Sequence, residues 1–143
     1  MKIYVFGNPL VKEDSISLQL LPHLKKSFPQ INFLVVDPNE NFPSENEKSL
    51  IILDTVMGIK KPTLLEIKGF EEKKKNPTSQ HDYDLLLHLL LLKKMKKIES
   101  AKIIGIPPNF KGRTLLVEHV NNLISTLLSE NVQRRTYMGQ RRG

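Results

Sequence analysis

Three side chains in this sequence could together do metal-assisted chemistry. Asp14 stands in the run Lys12-Glu13-Asp14-Ser15, Asp54 closes the apolar run from Leu50 to Leu53, and His81 follows Ser79 and Gln80. Two carboxylates and one imidazole can hold a divalent ion and leave positions for water or a substrate group. Glu13 offers a further carboxylate, but being next to Asp14 does not aim both side chains into one cleft. Each residue also has a plainer use. Asp14 or Ser15 can cap the helix that follows, Asp54 can close a turn, and His81 can cap a helix or lie exposed at its start. Spacing alone leaves both readings open.

Other catalytic apparatus is missing from the chain. It has no cysteine, which removes thiolate nucleophiles, disulfides and any cysteine-based zinc or iron–sulfur site. There is no HExxH helix of the zinc-protease kind. Ser15, Ser17 and Ser79 do not make a serine triad, and caps, hydrogen bonds or solvent contacts account for them.

The elements around the three residues follow from hydrophobic periodicity. Ile3 to Phe6 is a short buried strand that Gly7-Asn8-Pro9 ends in a turn. Ile16, Leu20, Leu21 and Leu24 then repeat at helical spacing, and the helix stops before Pro29. Ile31 to Val36 is a second strand, which completes a β-α-β opening. Leu50 to Asp54 is continuously apolar up to its terminal aspartate, the pattern of a central strand covered on both faces. Thr63 to Ile67 is a shorter segment with the character of an edge strand. A polar stretch from Phe70 to Gln80 leads past His81 into a helix whose apolar face is expected to draw on Tyr83, Leu86, Leu87, Leu90 and Leu91, its all-leucine character leaving the exact buried stripe undefined. Lys102 to Ile106 is a further strand, and Thr114 to Leu128 a final helix with Leu116, Val120, Leu123, Ile124 and Leu127 inward. The basic residues 131–143 are expected to form a flexible tail. Asp14 and Asp54 thus follow strands, at the edge of an open α/β sheet where ligands gather.

Composition sets outer limits. The 143 residues, 39% of them hydrophobic, suit one domain with a real core. The formal charge of +7 is unevenly spread, with lysines at Lys73 to Lys75 and Lys93 to Lys97 and most arginines near the C-terminus. Such patches can steer an acidic partner, but no zinc-finger spacing, RNA-binding aromatic motif or recognition helix accompanies them, so no dedicated nucleic-acid partner is expected. Nor is a secretion segment or a stretch long enough to cross a membrane. A soluble, cytoplasmic protein is the expectation.

Across residues 2 to 108 the sequence resembles the hydrogenase maturation endopeptidases, which remove a C-terminal extension from the large-subunit precursor of nickel–iron hydrogenases after nickel insertion. FGNPLVKEDSISLQLLPHL is similar to the family's opening strand, Gly-Asn loop, acidic residue and helix. LIILDTV resembles its second acidic strand, SQHDYDLL its Ser-x-His helix entrance, and IIGIPP its late strand and turn. The resemblance implies that Asp14, Asp54 and His81 are the metal-binding and catalytic residues, with Gly7 and Asn8 shaping the cleft. It implies that the metal is nickel, supplied by the hydrogenase precursor as partner. It also implies a three-layer α/β/α sandwich over residues 1–130, with a five-stranded mixed sheet in the order 2-1-3-5-4 and strand four antiparallel. Right-handed parallel crossovers favour that topology.

The chain departs from the family pattern twice. Val5 and Phe6 precede Gly7 where a further glycine is usual, and Ser15-Ile16-Ser17 replaces a glycine-rich continuation after the acidic residue. Both changes narrow the backbone conformations open to the loop. Two other function classes fit the same three ligands: a nickel chaperone or precursor-binding module without catalysis, and a different metal-dependent amidohydrolase acting on a small substrate.

Overall fold

The computed structural model describes residues 1–7, 15–36, 42–43, 47–68 and 84–141, with side chains of the last helix described as far as Asn131. Among them the chain runs through five strands and three long helices: β1 (Lys2–Val5), α1 (Ile16–Ser27), β2 (Asn32–Val35), β3 (Ser49–Thr55), β4 (Thr63–Glu66), α2 (Asp84–Lys94), β5 (Ser100–Ile106) and α3 (Arg113–Arg141).

The strands form one sheet in the order β2-β1-β3-β5-β4. All neighbours are parallel except β4, which runs antiparallel to β5. This is the arrangement expected from the sequence, and β3 is central as its unbroken apolar run implied.

Strand alternation divides the core into two layers. Ile3, Val5, Leu53, Ile104 and Ile106 face α1 and α3, meeting Leu20, Leu24, Leu116, Val120 and Ile124. Tyr4, Leu50, Ile52, Ala101 and Ile103 face α2, meeting Leu86, Leu89 and Leu92. Full burial of each such leucine or isoleucine contributes about 1.5–3 kcal/mol, so the β3 side chains Leu50, Ile52 and Leu53 hold both layers to the sheet. The result is an α/β/α sandwich.

Two helix ends show the local chemistry. Ser15 occupies the N-cap position of α1 but makes no side-chain capping bond. Its Oγ instead accepts a hydrogen bond from Gln19 Nε2 at 2.8 Å. The end of α2 is closed by paired turns: Lys97 N–H donates to Leu92 O at 2.9 Å and Lys96 N–H to Lys93 O at 3.0 Å. This is the Schellman arrangement, which needs a left-handed residue at its turn and usually has glycine there. Here Lys96 adopts it, with φ of 62°.

The final helix is longer than its apolar stripe. Helical backbone continues to Arg141, not ending near Leu128 as the periodicity predicted. Among the described side chains, which reach Asn131, the last buried one is Leu127; no proline follows to break the helix and most of the next residues tolerate it. No helix among the described residues is long and apolar enough to cross a membrane.

Candidate functional site

Strand order marks one place in this sheet for a ligand. From β1 the chain crosses through α1 to β2 on one side, and β3 then takes the other side of β1. The crevice beyond the carboxyl ends of β1 and β3 is therefore the switch point where open α/β sheets bind ligands. Backbone bonds fix this edge: Phe6 N–H donates to Leu53 O, Val36 N–H to Val5 O and Val56 N–H to Ile106 O, each at 2.9 Å.

Asp54 lies at that edge, the penultimate residue of β3, and is only 7% exposed. By alternation with Leu50 and Ile52 its side chain belongs to the α2 side of the sheet. Thr55 N–H donates to Asp54 Oδ1 at 2.8 Å. A buried carboxylate needs such donors, because burial disfavours an anion that water no longer solvates. Across the sheet Asp54 is in register with Gly105 of β5, and Gly105 with Thr63 of β4.

Gly105 leaves little room for a side chain. A Cβ at this position would lie 3.0 Å from Val56 Cγ2 and 3.1 Å from Ile59 Cδ1. The chain leaving β3 thus folds over β5 directly beside Asp54.

Of the other residues singled out in the sequence, Gly7 is half-buried just past the end of β1, and the β1–β3 register brings it alongside the end of β3. Asp14, His81, Asn8 and Glu13 lie outside the described residues. The ends of their segments are described: α1 starts at Ile16 and α2 at Asp84. Among the described residues no three histidine, cysteine, aspartate or glutamate side chains come together to hold a metal ion.

The start of α1 brings polar groups to the same edge that periodicity did not reveal. Ser17 is fully buried, and among the described residues its Oγ has no hydrogen-bond partner; the same holds for Thr55 Oγ1, in a residue 9% exposed. Both are on the α1 side of the sheet. Nearby, Arg113 at the start of α3 donates to Gln19 Oε1 at 2.6 Å, so Arg113, Gln19 and Ser15 form a chain linking the N-termini of two helices. The only sequence sign of these hydroxyls was the replacement of glycines by Ser15 and Ser17.

A groove of about 710 Å³ lies at the opposite edge of the sheet, among Lys2, Tyr4, Glu47, Ser100, Lys102 and Glu130. Its charges are satisfied by one another. Lys2 pairs with Glu47 at 3.0 Å, and Lys102 with Glu130 at 3.3 Å and Glu66 at 3.8 Å. Partial burial raises the Glu47 pKa, but the hydrogen bond from the Tyr4 hydroxyl and the Lys2 charge outweigh it and hold the carboxyl below its ordinary value.

Neither a protein-family model nor a curated protein sequence matches the chain. Two solved structures share its fold over nearly their full length. One is the solution structure of an endopeptidase from Escherichia coli, 17% identical over 90% of this chain and 91% of that one, with a TM-score of 0.55. The other is the crystal structure of a hydrogenase 2 maturation peptidase from Thaumarchaeota archaeon SCGC_AB-539-E09, 18% identical over 92% and 98%, with a TM-score of 0.50. At these identities the likeness is one of fold.

Proposed function

We propose that this chain is a hydrogenase maturation endopeptidase that removes the C-terminal extension of a nickel-loaded large-subunit precursor. The observation that carries the reading is Asp54, a buried carboxylate at the end of the central strand and beside the switch point. It stands in a fold shared almost end to end with a hydrogenase 2 maturation peptidase. The order of sequence motifs adds support, since Asp14, Asp54 and His81 occur in the family's order and at its element junctions.

In this reading nickel belongs to the substrate and supplies Lewis acidity at the scissile peptide bond. Two carboxylates and an imidazole are a fitting donor set for such an ion. The chain's own task is recognition and positioning. Asp54, whose Oδ1 accepts from Thr55 N–H, would hold the ion together with Asp14 and His81. Hydrolysis adds hydroxide to the acyl carbon and a proton to the departing amine. Because the chain brings only part of the active constellation, a precursor without nickel remains uncut, and proteolysis follows metal insertion.

The test compares nickel-loaded precursor, nickel-free precursor and the isolated C-terminal peptide at equal concentration, with release followed by intact mass. Loss of the extension from the loaded form alone is expected. Equal rates for all three would overturn nickel-dependent selection. Binding without cleavage would make the protein a chaperone, and cleavage of simple amides would make it a general amidohydrolase.

A further inference from the structure

Helix α2 presents apolar side chains on both sides, which its place in the fold does not require. Leu86, Leu89 and Leu92 are buried against the sheet, whereas Leu87 and Leu91 are each 54% exposed and Met95, one turn further on, is 51% exposed. These three recur every four residues and form one outer stripe, about 12 Å long at 1.5 Å per residue. The outer side of α1 shows what an ordinary solvent face of this protein carries: Gln19, Pro22, His23, Lys25, Lys26 and Ser27 are its exposed residues, and none of them is a large hydrophobic. His88 is the one exposed polar residue between Leu87 and Leu91, and among the described residues nothing covers the apolar stripe.

The position and charge of the stripe define what covers it. Since α2 enters β5 at the amino edge of the sheet, it starts at the carboxyl edge, so Leu87 in its first turn lies at the end where Asp54 is found. Met57, 59% exposed and three residues beyond Asp54, adds apolar surface at that edge. The far end of the stripe is bordered by Lys94, Lys96 and Lys97, all exposed and in no ion pair among the described residues. Lys96 holds a left-handed conformation in which a glycine would be more comfortable. A cation is kept there at a conformational cost.

The geometry points to the outer face of α2 as the docking surface for the protein substrate. The complementary surface on the precursor is an apolar strip that meets Leu87, Leu91 and Met95 and ends in a cluster of carboxylates opposite Lys94, Lys96 and Lys97. This assignment rests on the endopeptidase reading and deepens it. The substrate is gripped along α2 while its C-terminal extension reaches the carboxyl edge of the sheet. Specificity for a folded precursor over a free tail then follows from contacts remote from the cut bond.

Two variants test it, with binding of nickel-loaded precursor measured by calorimetry and cleavage by intact mass. Leu87→Glu with Leu91→Glu changes only exposed positions and is expected to weaken binding by about tenfold or more, as loss of central apolar contacts does. Lys96→Gly is expected to raise the melting temperature, because the strain is relieved, and yet to weaken binding severalfold at low salt, with the difference shrinking as salt is added. A purely structural Lys96 would give the first effect without the second. Wild-type protein that cleaves the precursor while both variants bind equally well overturns the docking surface alone. Wild-type protein that neither binds nor cleaves overturns the endopeptidase reading and the surface together. Sedimentation as a dimer that Leu87→Glu with Leu91→Glu dissolves, or adsorption of the wild type to anionic phosphatidylserine vesicles through the same residues, assigns the stripe to another occupant and rejects the proposal.

Discussion

Replacing Gly105 with alanine tests the packing that surrounds Asp54. The added methyl would sit 3.0 Å from Val56 Cγ2, 3.1 Å from Ile59 Cδ1 and 3.4 Å from Val56 Cβ. Val56 has little room to yield. It is 2% exposed, its branched side chain is stiff about χ1, and its N–H is tied to Ile106 O. Ile59 is half-buried and can give way more easily. Overpacking of this kind costs about 1–3 kcal/mol. Alanine recovers about 0.4–1 kcal/mol by restricting the unfolded chain. The net effect is a destabilisation of about 1–2 kcal/mol. For 143 residues this lowers the melting temperature by roughly 3–7 °C. Urea denaturation should show a lower midpoint at unchanged slope. Adding Ile59→Val removes the contact at Cδ1 but not those at Val56, so the double variant should recover only part of the loss, and the non-additivity measures the clash. Because Gly105 is in register with Asp54, cleavage should fall further than stability does. A Gly105→Ala protein as stable as wild type would refute the reasoning.

Ser17→Ala removes a buried hydroxyl that has no partner among the described residues, so unfolding in urea should show stability unchanged or raised by up to about 1 kcal/mol. A loss above that would mean the hydroxyl is bonded in solution. Tyr4→Phe removes the hydrogen bond to Glu47, at an expected cost of about 0.5–1.5 kcal/mol at pH 7. The Glu47 carboxyl is held below its ordinary value when folded, so its contribution is present above the unfolded-state pKa and lost as pH falls through the folded value. Melts of the two proteins should therefore converge in acid below the usual carboxylate range. Asp54→Asn keeps the side chain's shape and can still accept from Thr55 N–H, so circular dichroism and melting should change little while release of the C-terminal peptide from nickel-loaded precursor falls at least about 100-fold, in line with the weight of a single charged group in a desolvated site.

Several features of this fold are legible in the sequence for definite physical reasons. The run from Leu50 to Leu53 has no polar position to offer solvent, and β3 is covered on both faces. Asp54 is conspicuous because it ends that run. The sheet order was implied by the motif resemblance, since the short pattern of Thr63 to Glu66 gives no sign of which neighbour it will pair with. Other features left no trace in residue type. In α2 leucine occupies inner and outer positions alike, and only packing separates Leu89 from Leu91. The end of α3 is not legible because periodicity records burial, whereas helical backbone can run on where no apolar pattern marks it. The crowding at Gly105 depends on Val56 and Ile59 folding over a strand more than forty residues later in the chain. The left-handed turn at Lys96 was hidden because the residue there is not glycine.

The position of β5 between β3 and β4 governs the order in which this molecule can assemble. β3 and β4 are consecutive in the chain yet never touch as neighbours in the sheet, so β4 has no edge to pair with until the much later β5 has entered. The amino-terminal half, β1-α1-β2 with β3, can pair as it leaves the ribosome. β4 must wait for β5. A nascent chain that stops short of Ile106 therefore lacks the strand that closes the sheet around Asp54. The sheet is therefore completed late in synthesis, by a long-range insertion that is slow by nature.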